Sequence, residues 1–195
     1  EAAAAQFLGR GATVVFACRS RARAEAAMSR AQRESGAAAS RSIYMQLDLS
    51  DPASVRAFAA AFLARWNACD ALVCNAGLLS PTREECAGVG ADGARWERHL
   101  GANHLGHFLL IQLLLPAIRV AHGRVVSVSS CLHKRADCAA LLADPHARAH
   151  FETFSAYARS KLAQVVCTAE LHARERASFT GVTCVSAHPG TVYTE

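Results

Sequence analysis

Five short apolar runs alternate with stretches of helix-forming residues along this 195-residue chain, and this alternation restricts the fold more than any other feature. The runs lack the polar–apolar alternation of a strand with one solvated face, so we expect both of their faces to be buried. Such strands form parallel sheets that are covered by helices. The predicted strands are residues 13–18, 43–47, 71–74, 124–128 and 182–187. We predict an α/β fold with a doubly wound parallel sheet, in a single domain over residues 1–195.

The segments between these runs carry signals for the start and end of helices. A short helix ends near Gly9, and a second one runs from about residue 21 to 35 and stops at Gly36. Asp51 and Pro52 are typical of an N-cap and a first helical position, and that helix runs to about residue 66. The remaining predictions are helices over residues 96–120 and 155–174, and long loops over residues 78–93 and 131–153. Loops of that length in a compact domain are usually functional.

Composition excludes several classes of protein. Hydrophobic residues make up 52% of the chain and charged residues 19%, which a disordered or fibrous protein would not show. The formal net charge is +5, but the arginines are scattered and are not interleaved with aromatic residues, so no nucleic-acid partner is predicted. Gln112, Pro116 and Arg119 interrupt the most apolar stretch, which therefore indicates a buried helix and not a membrane span.

The cysteines and the first residues bear on localisation. The eight cysteines form no CxxC pair, and several lie inside apolar runs, where a free thiol behaves as a small hydrophobic group. Reduced thiols predict a cytoplasmic protein, or a membrane-associated one facing the cytosol if an anchor precedes Glu1. Because the chain opens directly in a helix, without a cap or a signal peptide, we expect it to be a piece of a longer protein.

Small or polar residues follow each predicted strand. In doubly wound sheets, ligands bind at the carboxyl ends of the strands, so these positions are candidates for ligand contact. They are Arg19, Asp48, residues 75–77 (Asn75, Ala76 and Gly77), Ser129, Ser130 and residues 188–190. The coincidence at all five strand ends carries more weight than any single position.

Tyr157 and Lys161 are four residues apart and therefore share one face of the last predicted helix. A free Tyr titrates near pH ~10, but a neighbouring ammonium stabilises the phenolate, so we expect Lys161 to lower the pKa of Tyr157. Such a pair can donate a proton to a carbonyl or accept one from an alcohol. The alternative is a solvated Tyr beside a solvated Lys on an amphipathic helix.

Ser130 and Asn103 are the other candidate catalytic residues. Ser130 follows the fourth strand, where its hydroxyl could bind the reacting oxygen, although it could also simply cap a turn. Strand alternation places Ser129 and Ser130 on opposite sides and does not decide which one faces the cleft. Asn103 is flanked by Gly101 and Gly106, a combination that predicts a local bend with a bound water, the alternative being an ordinary polar position.

Basic and histidine residues complete the set of candidates. Arg19, followed by Ser20, stands where many dinucleotide-binding folds place an acid, and an arginine there would attract a 2′-phosphate. The alternative is a solvated cluster at a helix start. His104 and His107 lack further ligands at suitable spacing, so packing or surface positions are favoured over a metal, and no metal site is predicted.

Together these residues resemble the short-chain dehydrogenases/reductases. The resemblance rests on Asp48-Leu49, Asn75-Ala76-Gly77, Asn103, Ser130, Tyr157-x-x-x-Lys161 and Pro189-Gly190. The stretches around Arg19, around Asn103 and at residues 188–190 are similar to the retinol-dehydrogenase-like branch. The match covers essentially the whole chain, and as a set its motifs are highly specific.

The resemblance implies a Rossmann-like fold, a cofactor and a role for each residue. Tyr157 would be the general acid/base, Lys161 would lower its pKa and bind the nicotinamide ribose, Ser130 would orient the carbonyl and Asn103 would hold a water. Asp48 and Leu49 would flank the adenine, residues 75–77 would lie beneath the cofactor, and Pro189, Gly190 and Thr191 would contact the nicotinamide end. The reaction would transfer hydride between NADP(H), rather than NAD(H), and a small apolar carbonyl or alcohol such as a retinoid, steroid or lipid aldehyde. A homodimer through the helices around Asn103 and Tyr157 is also implied by analogy.

The sequence departs from the family pattern at its start. The first strand and its glycine-rich turn are missing, because the chain opens inside the helix that should follow them, and further substrate-site residues are expected beyond Glu195. We therefore expect this partial domain, by itself, to bind cofactor poorly. The competing hypothesis is a non-catalytic dinucleotide-binding sensor or scaffold of the same fold.

Overall fold

A computed structural model describes residues 2–89 and 93–190 of the chain. The chain folds as two compact units, Glu1–Asp48 and Leu49–Glu195. The elements in chain order are α1 (Ala2–Gly9), β1 (Val14–Cys18), α2 (Arg21–Ser35), β2 (Ser42–Gln46), α3 (Pro52–Arg65), β3 (Ala71–Cys74), β4 (Glu85–Val89), β5 (Arg95–Glu97), α4 (Gly106–Val120), β6 (Arg124–Val128), α5 (Cys138–Ala143), α6 (Thr153–Ala177) and β7 (Thr183–Ala187). A π-helical segment, His99–Leu105, leads into α4.

The first unit is a β-α-β arrangement preceded by a short helix. Strands β1 and β2 pair in parallel, with Phe16 opposite Tyr44, and Phe16 packs into a small core with Ala5, Leu8 and Ala31 from the two helices. Helix α2 has the bounds that its caps predict. The Ser20 hydroxyl accepts from the backbone of Arg23, and Gly36 ends the helix at φ 67°, a left-handed conformation that glycine adopts without strain.

The second unit contains a three-stranded parallel sheet in the order β3-β6-β7. The registers run Ala71 opposite Arg124 and Arg124 opposite Thr183, so the carboxyl ends of all three strands lie at one edge. The connection from β3 to β6 passes through α4, and the connection from β6 to β7 passes through α6. Parallel pairing requires such crossovers, in agreement with the sequence-based prediction.

The prediction of one continuous helix over residues 96–120 is wrong. The chain first forms β5 and then the π-helical segment, in which Gly106 N–H bonds to Gly101 O, before α4 begins. Two glycines allow close approaches here: a Cβ at Gly101 would lie 2.3 Å from Cys86 Sγ, and one at Gly106 would lie 2.2 Å from Leu49 O. The chain around Asn103 is thus a widened helical turn, and the expected bend with a bound water stays a prediction.

The two predicted loops also contain regular structure. Within residues 78–93, β4 forms and pairs antiparallel with β5, Glu85 opposite Glu97. Within residues 131–153, a 3₁₀ turn at Cys131–Arg135 precedes α5, which Asp137 caps through the backbone N–H groups of Ala139 and Ala140. These short elements are held by local pairing and by caps and have no periodic apolar pattern. The sequence therefore did not predict them.

One helical stretch among the described residues, His99–Val120, is long and apolar enough to cross a membrane by length and composition alone. Most of its apolar window is buried inside the structure, as a core helix would be. Leu110, Leu114 and Ile118 are among its most buried side chains.

Candidate active site

The carboxyl edge of the β3-β6-β7 sheet carries most of the predicted ligand-contact residues of the second unit. Asn75, Ala76 and Gly77 follow β3 and are exposed, and His188, Pro189 and Gly190 follow β7 and are also exposed. Ser129 and Ser130 follow β6 between them. Thr191, predicted to contact a nicotinamide, lies outside the described residues.

Helix α6 presents Tyr157 and Lys161 at this edge, one helical turn apart. The Lys161 Nζ lies 5.6 Å from the centroid of the Tyr157 ring and donates a hydrogen bond of 2.9 Å to Val128 O, at the end of β6. Lys161 is only 2% exposed. Burial disfavours its charged form and lowers its pKa from 10.5 to about 8. The alternative of a solvated pair on a helix surface therefore does not describe these residues.

The pKa of Tyr157 moves in the direction opposite to the one expected from its neighbour. Partial burial of the phenol raises its pKa above the ordinary value of 10.0, and a hydrogen bond with Ser130 only partly offsets this. The expectation that Lys161 lowers this pKa is wrong for the described structure. The physical reason is that Nζ is directed to Val128 O, while burial acts on the hydroxyl itself.

The two neighbouring serines face different ways. The Ser129 hydroxyl is buried and donates to Lys161 O at 2.9 Å, which ties β6 to α6. The Ser130 hydroxyl accepts from Leu132 N at 3.3 Å and also interacts with Tyr157. Ser130 thus caps a turn and lies beside the phenol, while its role in binding the reacting oxygen stays a prediction.

Asn103 is fully buried, and its side chain is bonded to the chain on both sides. Its Oδ1 accepts from Leu78 N at 2.8 Å, and its Nδ2 donates to Leu78 O at 3.0 Å and to Ser160 Oγ at 3.1 Å. These bonds tie the segment that follows β3 to the π-helical segment and to α6. Sequence reasoning missed Leu78 and Ser160, since a backbone group and a serine inside a helix carry no signal of their own. The role of Asn103 as a water ligand stays a prediction.

Gly77 has no side chain at a point where space is short. A Cβ there would lie 3.2 Å from Lys161 Nζ and 3.8 Å from Asn103 Oδ1. Contacts of 3.2 Å are tighter than ordinary van der Waals packing, so a larger residue would displace the ammonium. This geometry brings three of the sequence-predicted residues into one cluster.

The first unit holds its own predicted residues at the carboxyl edge of β1 and β2. Arg19 is exposed, and its backbone carbonyl accepts from Gln46 Nε2 at 3.1 Å. Ser20 is the N-cap of α2, and Asp48 is half-buried two residues beyond β2. Leu49 begins the second unit, where its carbonyl lies against Gly106.

The histidines of the π-helical segment and α4 are packed in the core. His104 and His107 are buried, and burial lowers the pKa of each from 6.5 to about 4. His107 Nδ1 lies 2.9 Å from Asn103 O, and His104 Nε2 lies 3.7 Å from Cys167 Sγ. Across residues 2–89 and 93–190, no group of three or more His, Cys, Asp or Glu side chains could hold a metal.

The α/β fold with the Tyr157, Lys161 and Ser130 cluster at the carboxyl edge of its sheet can be compared with known proteins. The family model for short chain dehydrogenases matches residues 1–141. The chain therefore belongs to the short-chain dehydrogenase/reductase family, and its relatives place it in the retinol-dehydrogenase-like branch.

Two curated relatives illustrate this. Dehydrogenase/reductase SDR family member 13 from Bos taurus is 43% identical over 187 residues, covering 95% of this chain and 46% of that protein. Retinol dehydrogenase 12 from Homo sapiens is 40% identical over 193 residues, covering 98% of this chain and 57% of that protein. The chain thus spans about half the length of these relatives.

Solved structures confirm the α/β, Rossmann-like fold. The crystal structure of an uncharacterized protein from Mycobacterium Paratuberculosis aligns with a TM-score of 0.79 at 35% identity, covering 99% of this chain and 64% of that one. An alcohol dehydrogenase from Thermococcus sibiricus, complexed with 5-hydroxy-NADP, aligns with a TM-score of 0.71 at 20% identity, over 98% of this chain and 71% of that one. At 20% identity, the similarity to this alcohol dehydrogenase concerns the fold alone.

Proposed function

We propose that the protein transfers a hydride between NADP(H) and an apolar carbonyl/alcohol pair. The observation that carries the proposal is the cluster of Tyr157, Lys161 and Ser130 at the carboxyl edge of a parallel sheet, the edge at which such folds bind ligands. The family membership supports an oxidoreductase, and the cluster supplies the groups that a carbonyl reduction needs.

The residues at this edge fit a nicotinamide cofactor. Exposed small residues at 75–77 and 189–190 leave the edge open, while Lys161 presents an ammonium where a ribose hydroxyl could accept. NADP(H), when bound, supplies or accepts the hydride. In the first unit, Arg19 and Ser20 would bind a 2′-phosphate and Asp48 the adenine end, and the exposed Arg19 supports NADP over NAD.

The chain's own groups would handle the proton. The raised pKa of Tyr157 keeps the phenol protonated at neutral pH, so its hydroxyl can donate to the oxygen of a carbonyl that is being reduced. Ser130, which already interacts with that hydroxyl, would bind the same oxygen. Lys161, with a pKa of about 8, is mostly charged at neutral pH, and its ammonium would bind a hydroxyl of the nicotinamide ribose.

Apolar side chains near this cluster support an apolar substrate. Leu79 follows the β3 edge and Phe154 precedes Tyr157 by one turn, and both are exposed although they are large and hydrophobic. The names of relatives such as Retinol dehydrogenase 12 agree with a retinoid, but steroids and lipid aldehydes have the same surface chemistry.

The test measures NADPH and NADH consumption by the full-length protein, with all-trans-retinal and with a simple aldehyde as substrates. We expect turnover with NADPH, and a fall in kcat of at least ~100-fold in Tyr157→Phe with the cofactor dissociation constant within about twofold. Ser130→Ala should also lose kcat, while its matched control Ser129→Ala, which alters a structural bond, should keep it. Arg19→Glu should move the preference toward NADH.

Each outcome has a definite meaning. Full activity in Tyr157→Phe would refute the assignment of the acid/base. Tight NADPH binding without turnover on either substrate would favour the non-catalytic sensor or scaffold. A preference for NADH in the unaltered protein would keep the reaction and refute the role of Arg19.

A further inference from the structure

A buried carboxylate–imidazole pair lies directly beside the candidate acid/base and has no part in the proton chemistry proposed above. Glu97, at the end of β5, is 1% exposed, and His99, at the start of the π-helical segment, is 0% exposed. Buried charged groups persist only where hydrogen bonds satisfy them, so this pair calls for a structural account.

The carboxylate of Glu97 is fully engaged. Its Oε1 accepts from His99 N at 2.8 Å and lies 2.6 Å from His99 Nδ1, and its Oε2 accepts from Leu100 N at 2.9 Å. Burial alone would raise the pKa of Glu97, but the hydrogen bonds from the His99 ring and from these two backbone groups lower it below its ordinary value. Glu97 is therefore an ionised cap on the first turn of the π-helical segment.

The bonding pattern selects one tautomer of His99. The backbone N–H of Ser80 donates to Nε2 at 2.9 Å, so Nε2 is an acceptor. The proton must then be on Nδ1, from which it is donated to Glu97. With both nitrogens bonded, the imidazole cannot rotate without losing a buried hydrogen bond.

Two aromatic side chains contact this fixed ring. Tyr157 lies against it edge to face, with ring centroids 6.2 Å apart and planes at 84°. Phe151 stacks on it at 6.0 Å with an interplanar angle of 25°. The orientation of the His99 ring thus restricts where the Tyr157 ring can lie.

The same histidine also holds the segment that follows β3. Asn103 binds the backbone of Leu78, and His99, one turn earlier, binds the backbone of Ser80. Leu79, the exposed apolar residue proposed to meet the substrate, lies between these two attachments. The Ser80 hydroxyl in turn donates to Glu84 at 2.7 Å, which extends the attachment toward β4.

We propose that Glu97 and His99 are positioning residues: Glu97 fixes the rotation of the His99 ring, and His99 holds the Tyr157 ring and the Leu78–Ser80 backbone in the geometry needed for turnover. This rests on the proposed function, in which Tyr157 is the acid/base. The ring contact acts on kcat, and the Ser80 bond acts on the KM of the carbonyl substrate.

Three variants separate these effects in the NADPH-dependent reduction of all-trans-retinal. Glu97→Gln places an amide N–H against one of two donors, His99 Nδ1 or Leu100 N, so a buried hydrogen bond is lost and the rotation of the His99 ring is less restricted. His99→Gln keeps an acceptor near Ser80 N but loses the ring, and His99→Asn keeps a donor to Glu97 but does not reach Ser80. His104→Gln is the matched control, because His104 is a buried histidine of the same segment that contacts Phe108 and Cys167 instead of Tyr157.

We expect Glu97→Gln and His99→Gln to lower kcat about tenfold, since small displacements of a reacting group have effects of this size. His99→Asn should in addition raise the KM for retinal. The dissociation constant of NADPH, measured by fluorescence, should stay within about twofold in every variant, and His104→Gln should keep kcat within about twofold. Unchanged kcat in the Glu97 and His99 variants would overturn the proposal, as would an equal loss in His104→Gln or a loss that follows cofactor affinity.

A measurement on the unaltered protein covers the case in which a variant does not fold. The ¹⁵N shifts of the His99 ring should show a protonated Nδ1 and an accepting Nε2, and the other tautomer would overturn the proposal. Failure of the proposed function is distinguished separately: it would appear as unaltered turnover in Tyr157→Phe, whatever the His99 variants do.

Discussion

Replacing Lys161 by methionine should make the protein more stable at neutral pH while removing a group proposed for its activity. Lys161 is almost completely buried, and its ammonium donates to the carbonyl of Val128 at 2.9 Å. The fall of its pKa from 10.5 to about 8 corresponds to about 3 kcal/mol of unfavourable burial at ~1.4 kcal/mol per pKa unit. The lost hydrogen bond to Val128 O offsets about 1 kcal/mol of this cost. The free energy of unfolding of Lys161→Met should therefore exceed that of the unaltered protein by roughly 2 kcal/mol at pH 7.

The pH dependence follows from the direction of this change. Below pH about 8 the lysine is charged in both the folded and the unfolded state, so the folded state bears the full cost of burial. As the pH rises from about 8 to 10.5, the folded state loses the proton first, and the free energy of unfolding of the unaltered protein rises. The advantage of Lys161→Met should therefore be present at pH 7 and lost by about pH 10.5.

Urea unfolding of the protein, followed by circular dichroism at intervals from pH 6 to 10.5, measures this difference. Lys134→Met is the matched control, because Lys134 is exposed and should show little change in stability at any pH. Cysteines and tyrosines titrate in the same range, but they are common to all three proteins and cancel in the differences. A Lys161→Met protein that is less stable at pH 7, or a gain that does not decline with rising pH, would refute this reasoning.

Two further predictions concern the core of the second unit. His107 titrates near 4 when folded and near 6.5 when unfolded, so the protein should lose up to about 3 kcal/mol through this group as the pH falls from 6.5 to 4. His107→Gln should flatten the acid limb of a plot of Tm against pH, and an unchanged limb would contradict this. Gly106→Ala should cost about 2–3 kcal/mol, because its Cβ would lie 2.2 Å from the backbone oxygen of Leu49. Gly9→Ala, whose Cβ would meet only ordinary contacts of 3.7 Å, is the control and should stay within about 0.5 kcal/mol in the same urea titration.

Most of the regular elements of the fold could be predicted because their signals are local. Ser20 and Gly36 mark the ends of α2, Asp51 and Pro52 open α3, and β6 has the predicted bounds. The errors fall where an element depends on a distant partner. Strand β4 contains a glycine and acquires its structure by pairing with β5, and the π-helical segment forms where Gly101 and Gly106 approach Cys86 and Leu49.

The candidate site divides in the same way. Tyr157, Lys161, Ser130 and Asn103 could be named from residue type and spacing, since a proton relay requires particular chemical groups at helical or strand intervals. Glu97 and His99 could not, because nothing in their spacing shows that the imidazole faces Tyr157 from a different element. That these six residues act together in catalysis stays a proposal.

By itself the sequence determined the α/β class and the family and provided the candidate reactive groups, because periodicity, caps and residue chemistry are properties of short segments. Only the tertiary structure decided which serine lies beside the phenol, in which direction the pKa of Tyr157 moves and which tautomer His99 adopts. These depend on burial and on hydrogen-bond partners that come from distant parts of the chain. Desolvation and directional bonds act over a few ångströms in space, and sequence separation contains no measure of that distance.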